Sequence, residues 1–272
     1  MKIGSFLLNF TNIQKIHQLK TFEEAVNHPA LQGIACVDGD TEVYDQYDIR
    51  EMKRVLDDHG IETSSVYHVA ECDEFAGRGR QKVLDDLKYQ LDRCAFMETK
   101  MFMPIPECRK DMERSERQKI VLDYINTATE AVVPYGMKVI MENISMVEYT
   151  FATVSDMGFY LDQVPELGFA LDTGNFWFND SDVLEACDKY ISRIVHVHLK
   201  DILPYKENPP RVFLGKGLDV VATGDGVMPI PTILEKLKQN GYEGTLSLEI
   251  TTPVQLAEKV ARSVSYLKNW LG

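Results

Sequence analysis

The sequence predicts an α/β fold, a single-domain (β/α)8 TIM barrel spanning residues 1–272. Two observations carry this. Short apolar runs alternate with longer amphipathic stretches along the whole chain, and no glycine-rich turn follows the first run. The runs are 2–8, 33–38, 61–69, 100–104, 137–142, 167–172, 193–200 and 245–250. Strands separated by helices pair in parallel through right-handed crossovers, and eight such units in about 250 residues have the size of a closed barrel. The alternative, a doubly wound open sheet, usually shows G-x-G after its first strand. Here that strand runs into "NFTN".

Between the runs, apolar residues recur at helical spacing: Ile49, Met52, Val55 and Leu56; Val83, Leu84, Leu87, Leu91 and Ala95; Ile120, Tyr124, Ile125 and Ala128. The same spacing returns at Ile230, Ile233, Leu234 and Leu237, and at Ala257, Val260, Val264 and Leu267. Glycines at "HGI" (59–61), "YGM" (135–137) and "NGY" (240–242) mark helix ends. Thr252 before Pro253 reads as an N-cap with a first-turn proline. The longest irregular piece, 201–229, follows the seventh run and is expected to be a functional loop at the mouth of the barrel.

Lys and Arg number 29 against 42 Asp and Glu, a net charge of −13. That balance repels polyanions, so neither nucleic acid nor an anionic membrane is an expected partner. Five scattered cysteines form no C-x-x-C pair and no complete disulfide framework. With no signal-like start and no apolar stretch of membrane-spanning length, the expectation is a soluble, cytoplasmic protein.

The residues closing the strands carry the chemistry, because in a parallel barrel the C-terminal strand ends converge on one mouth. Glu142 closes "MKVIMEN", Asp172 closes "LGFALD", His198 lies in "RIVHVHLKD", and Glu249 closes "GTLSLE". A single acid at a strand end is ordinarily a helix cap or a solvated charge. Three acids and an imidazole on four consecutive strands would repel one another without a cation between them. Oxygen donors with one imidazole and no thiolate describe a divalent site: Mn²⁺ or Mg²⁺ first, with Zn²⁺ or Co²⁺ as alternatives. In "RIVHVHLKD", alternation puts Val195, Val197 and Leu199 on one side and His196, His198 and Lys200 on the other. His196, deeper in the barrel, is then a satisfied interior histidine and His198 the ligand. Lys200 lies at the level of substrate, contacting it or pairing with a mouth acid. His68, in "SSVYHVAE", is a candidate substrate contact or a structural residue.

The segments "VIMEN", "LDTGN", "VHVHLKD" and "GDGVMPIPTILEKLKQNGYEGTLSLEI", in this order, resemble the xylose-isomerase-like barrel superfamily of sugar isomerases and epimerases. Its members include tagatose/psicose-type 3-epimerases, hydroxypyruvate isomerase, inosose dehydratase and, distantly, endonuclease IV. The resemblance implies that Glu142, Asp172, His198 and Glu249 bind the metal, with Glu142 and Glu249 also the catalytic acid/base pair. It matches Glu148 to a substrate-contacting glutamate and Arg211 loosely to a substrate-binding arginine. Asn175 stands where the epimerases usually have histidine; it can donate a hydrogen bond to a hydroxyl but cannot act as a general acid near neutral pH. Endonuclease IV needs further histidines that six in all cannot supply in this pattern.

The expected activity is therefore that of a metal-dependent isomerase or epimerase of a small keto sugar. One carboxylate removes a proton beside the carbonyl, the cation stabilises the enediolate, and a second carboxylate returns the proton. The alternatives are an inosose-type dehydratase, an endonuclease IV-like hydrolase or a catalytically silent sugar-binding barrel. The family often assembles as homodimers or tetramers, an expectation for this chain as well.

Overall fold

Each of the eight apolar runs becomes a strand. The computed structural model describes residues 1–272. In chain order the strands are β1 (Lys2–Phe6), β2 (Cys36–Asp40), β3 (Glu62–Glu71), β4 (Met101–Glu107), β5 (Lys138–Glu142), β6 (Gly168–Asp172), β7 (Ile194–Leu199), β8 (Asp201–Pro204), β9 (Arg211–Phe213), β10 (Lys216–Val221) and β11 (Thr245–Leu248). A closed barrel runs β1, β2, β3, β4, β5, β6, β7, β11 and back to β1, all neighbours parallel. Strands β2, β6 and β11 are buried along their whole length, one face toward the barrel interior and the other under the helices.

The helices are α1 (Leu7–Ile16), α2 (Phe22–Val26), α3 (Thr41–Gln46), α4 (Ile49–Asp58), α5 (Arg80–Phe96), α6 (Arg114–Ala131), α7 (Val154–Gln163), α8 (Val183–Tyr190), α9 (Ile230–Gln239) and α10 (Leu256–Leu271). The five periodic stretches are α4, α5, α6, α9 and α10. Their stripes, such as Val83, Leu87 and Leu91 or Ile233, Leu234 and Leu237, are buried in the layer between barrel and helices. Gly60, Gly136 and Gly241 each adopt positive φ (65°, 65° and 70°) between a helix and the next strand. No helix is long and apolar enough to cross a membrane.

Three expectations need correction. Thr252 does not cap α10: its hydroxyl accepts the Val254 N–H (3.3 Å) in a tight local turn, and the helix begins after Gln255 at φ 53°. Segment 201–229 is not wholly irregular, since β8, β10 and β9 pair antiparallel into a three-stranded sheet beside the barrel. The alternation of "RIVHVHLKD" also slips once. The β6–β7 register shifts at Phe169/Ala170, so Ala170 faces His196, and Val195 packs against the interior trio Met103, Ile140 and Ala170. Val197 and Leu199 do point to the helix layer, as expected.

Candidate metal centre

Backbone-matching side chains fix the ends of β5, β6 and β7 against one another. Asn143, following Glu142, donates from Nδ2 to Asp172 O (3.0 Å) and accepts the Asp172 N–H at Oδ1 (2.9 Å). Thr173 donates to Lys200 O (2.9 Å) and accepts the Lys200 N–H (3.0 Å), while its own N–H donates to His198 O (3.0 Å). The strings "MEN" and "DTG" are thus splices that continue the sheet beyond its last ladder bonds. Asp172 and His198 stand directly opposite in the β6–β7 register, and Glu249 N–H donates to Leu199 O (3.2 Å) to extend β11. Asp172 Oδ1 is spent on the N–H groups of Gly174 (2.8 Å) and Asn175 (2.5 Å), leaving Oδ2 without a hydrogen-bond partner.

These constraints bring Glu142, Asp172, His198 and Glu249 together, all buried. His198 Nδ1 lies 2.6 Å from Glu142 Oε1 and 3.7 Å from Glu249 Oε2. Lys200 Nζ reaches back into the cluster: 2.6 Å from Glu249 Oε1, 3.3 Å from Asp172 Oδ2 and 2.8 Å from Asn175 Oδ1. Of the two readings of Lys200, the structure shows the ion pair with mouth acids. Asn175 stands beside it, its Nδ2 donating to Asn143 O (2.9 Å).

The donor set fits a divalent cation. Asp172 Oδ2 and Glu249 Oε2 are buried and accept no hydrogen bond, the first 3.3 Å from Lys200 Nζ and the second 3.7 Å from His198 Nδ1, and one donor atom from each of the four residues lies within 4.8 Å of the others. Opposite ligands of an ion with ~2.1 Å bonds stand about 4.2 Å apart, so the side chains need close in only slightly.

The charges are strongly coupled. Burial pushes the Asp172 carboxyl well above its ordinary range, with Glu249 and Glu142 adding to the rise against the pull of Lys200. Burial acts the same way on Glu249, but Lys200, Asp172 and His198 outweigh it and hold that carboxyl below its ordinary value. For His198, burial opposes charge, and Glu142 with Asp38 overcome it, raising the imidazole well above its usual value. The rise at Asp172 and the fall at Glu249 belong to the pair as a whole, which shares the charge of Lys200.

The remaining expected contacts lie elsewhere. His68 is turned to the helix layer, its Nε2 2.7 Å from Asp86 Oδ2 on α5 and its Nδ1 3.0 Å from Thr41 Oγ1. Its neighbour Tyr67 faces the mouth instead: the ring is 5.5 Å from that of Phe6, which is 4.7 Å from the His198 ring, and the hydroxyl donates to Asp40 Oδ2 (2.5 Å). Since Ser65 meets Asp38 inside the barrel (2.6 Å), period two puts Tyr67 inside and His68 outside. Phasing β3 from Ser65 would have found Tyr67. Glu148 is not brought to the four residues; it lines a small pocket with Arg117 and Tyr149. Arg211 is exposed on β9, stacked 5.0 Å over Phe213, with Nη1 3.5 Å from Thr251 O at the rim. Asp38, Asn143 and Thr173 went unread as site residues, although the last two lie within the quoted motifs.

An eight-stranded parallel barrel with an acid-rich, histidine-containing cluster at the C-terminal strand ends defines a class of metal-site barrel. The chain belongs to the xylose isomerase-like TIM barrel family, whose model matches residues 22–270. Among its relatives, an inosose dehydratase of Klebsiella pneumoniae subsp. pneumoniae is 26% identical over 303 residues, covering 100% of this chain and 98% of the relative. Among solved structures, the probable 3-DHS dehydratase AsbF of Bacillus anthracis has a TM-score of 0.77 at 17% identity, covering 99% of both chains. An IolI protein with a bound zinc atom has a TM-score of 0.75 at 16% identity, covering 98% of this chain and 96% of that one.

Proposed function

We propose that the chain is a divalent-metal-dependent dehydratase of a small polyhydroxy ketone of the inosose type, acting by proton abstraction beside the carbonyl. The observation that carries it is the buried convergence of Glu142, Asp172, His198 and Glu249 with the Lys200 ammonium among them. Full-length similarity to an inosose dehydratase supports dehydration over the isomerase and epimerase readings.

Glu142, Asp172, His198 and Glu249 would hold the ion, which when bound supplies a positive centre that polarises the substrate carbonyl; the zinc in the IolI neighbour is in keeping with such a site. Glu249, kept ionised by Lys200, accepts the proton from the carbon next to the carbonyl. The electron pair of that C–H bond forms the carbon–carbon double bond as the neighbouring C–O bond breaks. The departing hydroxyl takes a proton from the Lys200 ammonium and leaves as water, and Lys200 recovers a proton from Glu249, 2.6 Å away. Lys200 and Asn175, hydrogen-bonded to each other, stand where they can bind that hydroxyl. Phe6 and Tyr67 form the apolar side of the mouth.

Incubation with an inosose and Mn²⁺ in D₂O separates the readings. Dehydration gives a product lighter by one water. Solvent deuterium in a substrate of unchanged heavy-atom composition would instead indicate an isomerase or epimerase, and neither change with any inosose or ketose would overturn the proton-abstraction chemistry. Glu249→Gln should lower kcat by about 10²–10⁴-fold.

A further inference from the structure

We propose that Asp38 positions His198, holding the ring by its Nε2 side so that Nδ1 is turned to the three carboxylates. This rests on the metal-binding reading of that cluster. Asp38 lies on β2, across the barrel from β7, with β1 and β11 between them. Its side chain is fully buried. Oδ1 accepts hydrogen bonds from Ser64 Oγ (2.7 Å) and Ser65 Oγ (2.6 Å). Two consecutive residues reach one oxygen because the β2–β3 register skips Ser64 between Val37 and Asp38. Anchored there, the carboxylate faces the histidines of β7: His196 Nε2 lies 3.0 Å from each oxygen, and His198 Nε2 lies 3.5 Å from Oδ2.

His198 Nε2 is buried, and Asp38 is the carboxylate it faces. At 3.5 Å the contact is longer than a relaxed N–H···O distance, while Nδ1 is drawn to 2.6 Å from Glu142. A ring shift of about 0.5 Å toward Asp38 completes the bond. A buried N–H with no acceptor would cost about 1–3 kcal/mol. A carboxylate on the far nitrogen of a ligating imidazole fixes both ring orientation and tautomer. His196, two residues earlier on the same strand face with its ring at 89° to that of His198, holds Asp38 from below. The H-x-H spacing then has a division of labour: the first histidine seats the carboxylate, and the carboxylate seats the second.

The test uses the whole protein loaded with Zn²⁺ and labelled with nitrogen-15 at histidine. First, metal titration shows whether an ion binds; no binding overturns the metal-site reading itself. With one equivalent bound, the His198 ring spectrum is expected to show the proton on Nε2 and the metal-shifted resonance at Nδ1. Asp38→Asn, nearly isosteric, is expected to remain folded by circular dichroism and to bind Zn²⁺ about 10–100-fold more weakly. A proton on Nδ1 overturns the proposal, and so does an Asp38→Asn affinity within about threefold of the parent. Two bound equivalents with no proton on either nitrogen of His198 also overturn it, because Asp38, His196 and His198 would then hold a second ion. If Asp38→Asn does not fold, the spectrum of the unsubstituted protein decides alone.

Discussion

Asp86 on α5 hydrogen-bonds His68 Nε2 through Oδ2 at 2.7 Å and accepts from Gln90 Nε2 at 3.1 Å through Oδ1. The hydrogen bond to His68, helped by Gln90, holds its carboxyl below the ordinary value of 3.8. A carboxyl whose folded-state value is depressed stabilises the fold above its unfolded value and loses that contribution as pH falls through the folded one. Asp86→Asn should therefore have a lower Tm than the parent from neutral pH down to about pH 4, and the gap should close below 3.8. Melting curves at a series of pH values check this; a gap that widens on acidification would contradict it. The same contact accounts for the structural one of the two readings of His68. Both faces of β3 are covered in its middle, so polarity alone could not tell the mouth side from the helix side. Asp86, eighteen residues away, satisfies the imidazole, and no local pattern announces a partner at that distance.

At the scale of elements, strands and mouth acids were legible because parallel barrel strands are apolar on both faces and end in the residues that matter. What escaped was set by non-local pairing: the β6–β7 register shift that turns Val195 inward, the Asn143 and Thr173 splices, and the sheet formed by β8, β9 and β10. Asp201, opening β8, shows how the long connection is held. Its carboxylate accepts N–H groups from Ile202 (3.0 Å), Gly224 (2.9 Å), Gly226 (3.0 Å) and Met228 (3.1 Å). A Cβ on Gly226 would stand 2.1 Å from Asp201 Oδ1, so only glycine allows this approach. The aspartate of "HLKD" and the "GDG" turn are therefore one clamp that bridges more than twenty residues. Asp201→Ala leaves four donors without their acceptor, and hydrogen exchange at Gly224, Gly226 and Met228 should quicken by about 10–100-fold, reflecting a loss of about 1–3 kcal/mol. Amides of β7 should keep their protection; equal acceleration there would mean that Asp201 supports the whole barrel and not this connection.

Across the whole molecule the charge balance is −13, and its acids are mostly solvated, but Glu142, Asp172 and Glu249 are buried together at the barrel mouth. Two buried groups face them, the imidazole of His198, whose proton affinity Glu142 and Asp38 raise against burial, and the Lys200 ammonium. Burial penalises Lys200's charge, yet Asp172, Glu249 and Glu142 outweigh that and keep it firmly protonated. Lys200 is thus an internal counter-ion placed by Thr173 and β7, and a mobile divalent cation would share its task. Lys200→Met keeps the apolar stem and removes the charge. Breaking a buried ion pair costs about 3–5 kcal/mol, or roughly 6–20 °C in Tm for a domain of this size. In chelator the variant should melt lower than the parent by that amount. Added Mn²⁺ should raise the variant's Tm more than the parent's, since the ion then replaces the missing charge. Equal Tm values in chelator would show that the carboxylates do not depend on Lys200. A smaller Mn²⁺ effect in the variant would show that Lys200 helps to build the metal site and does not share its charge.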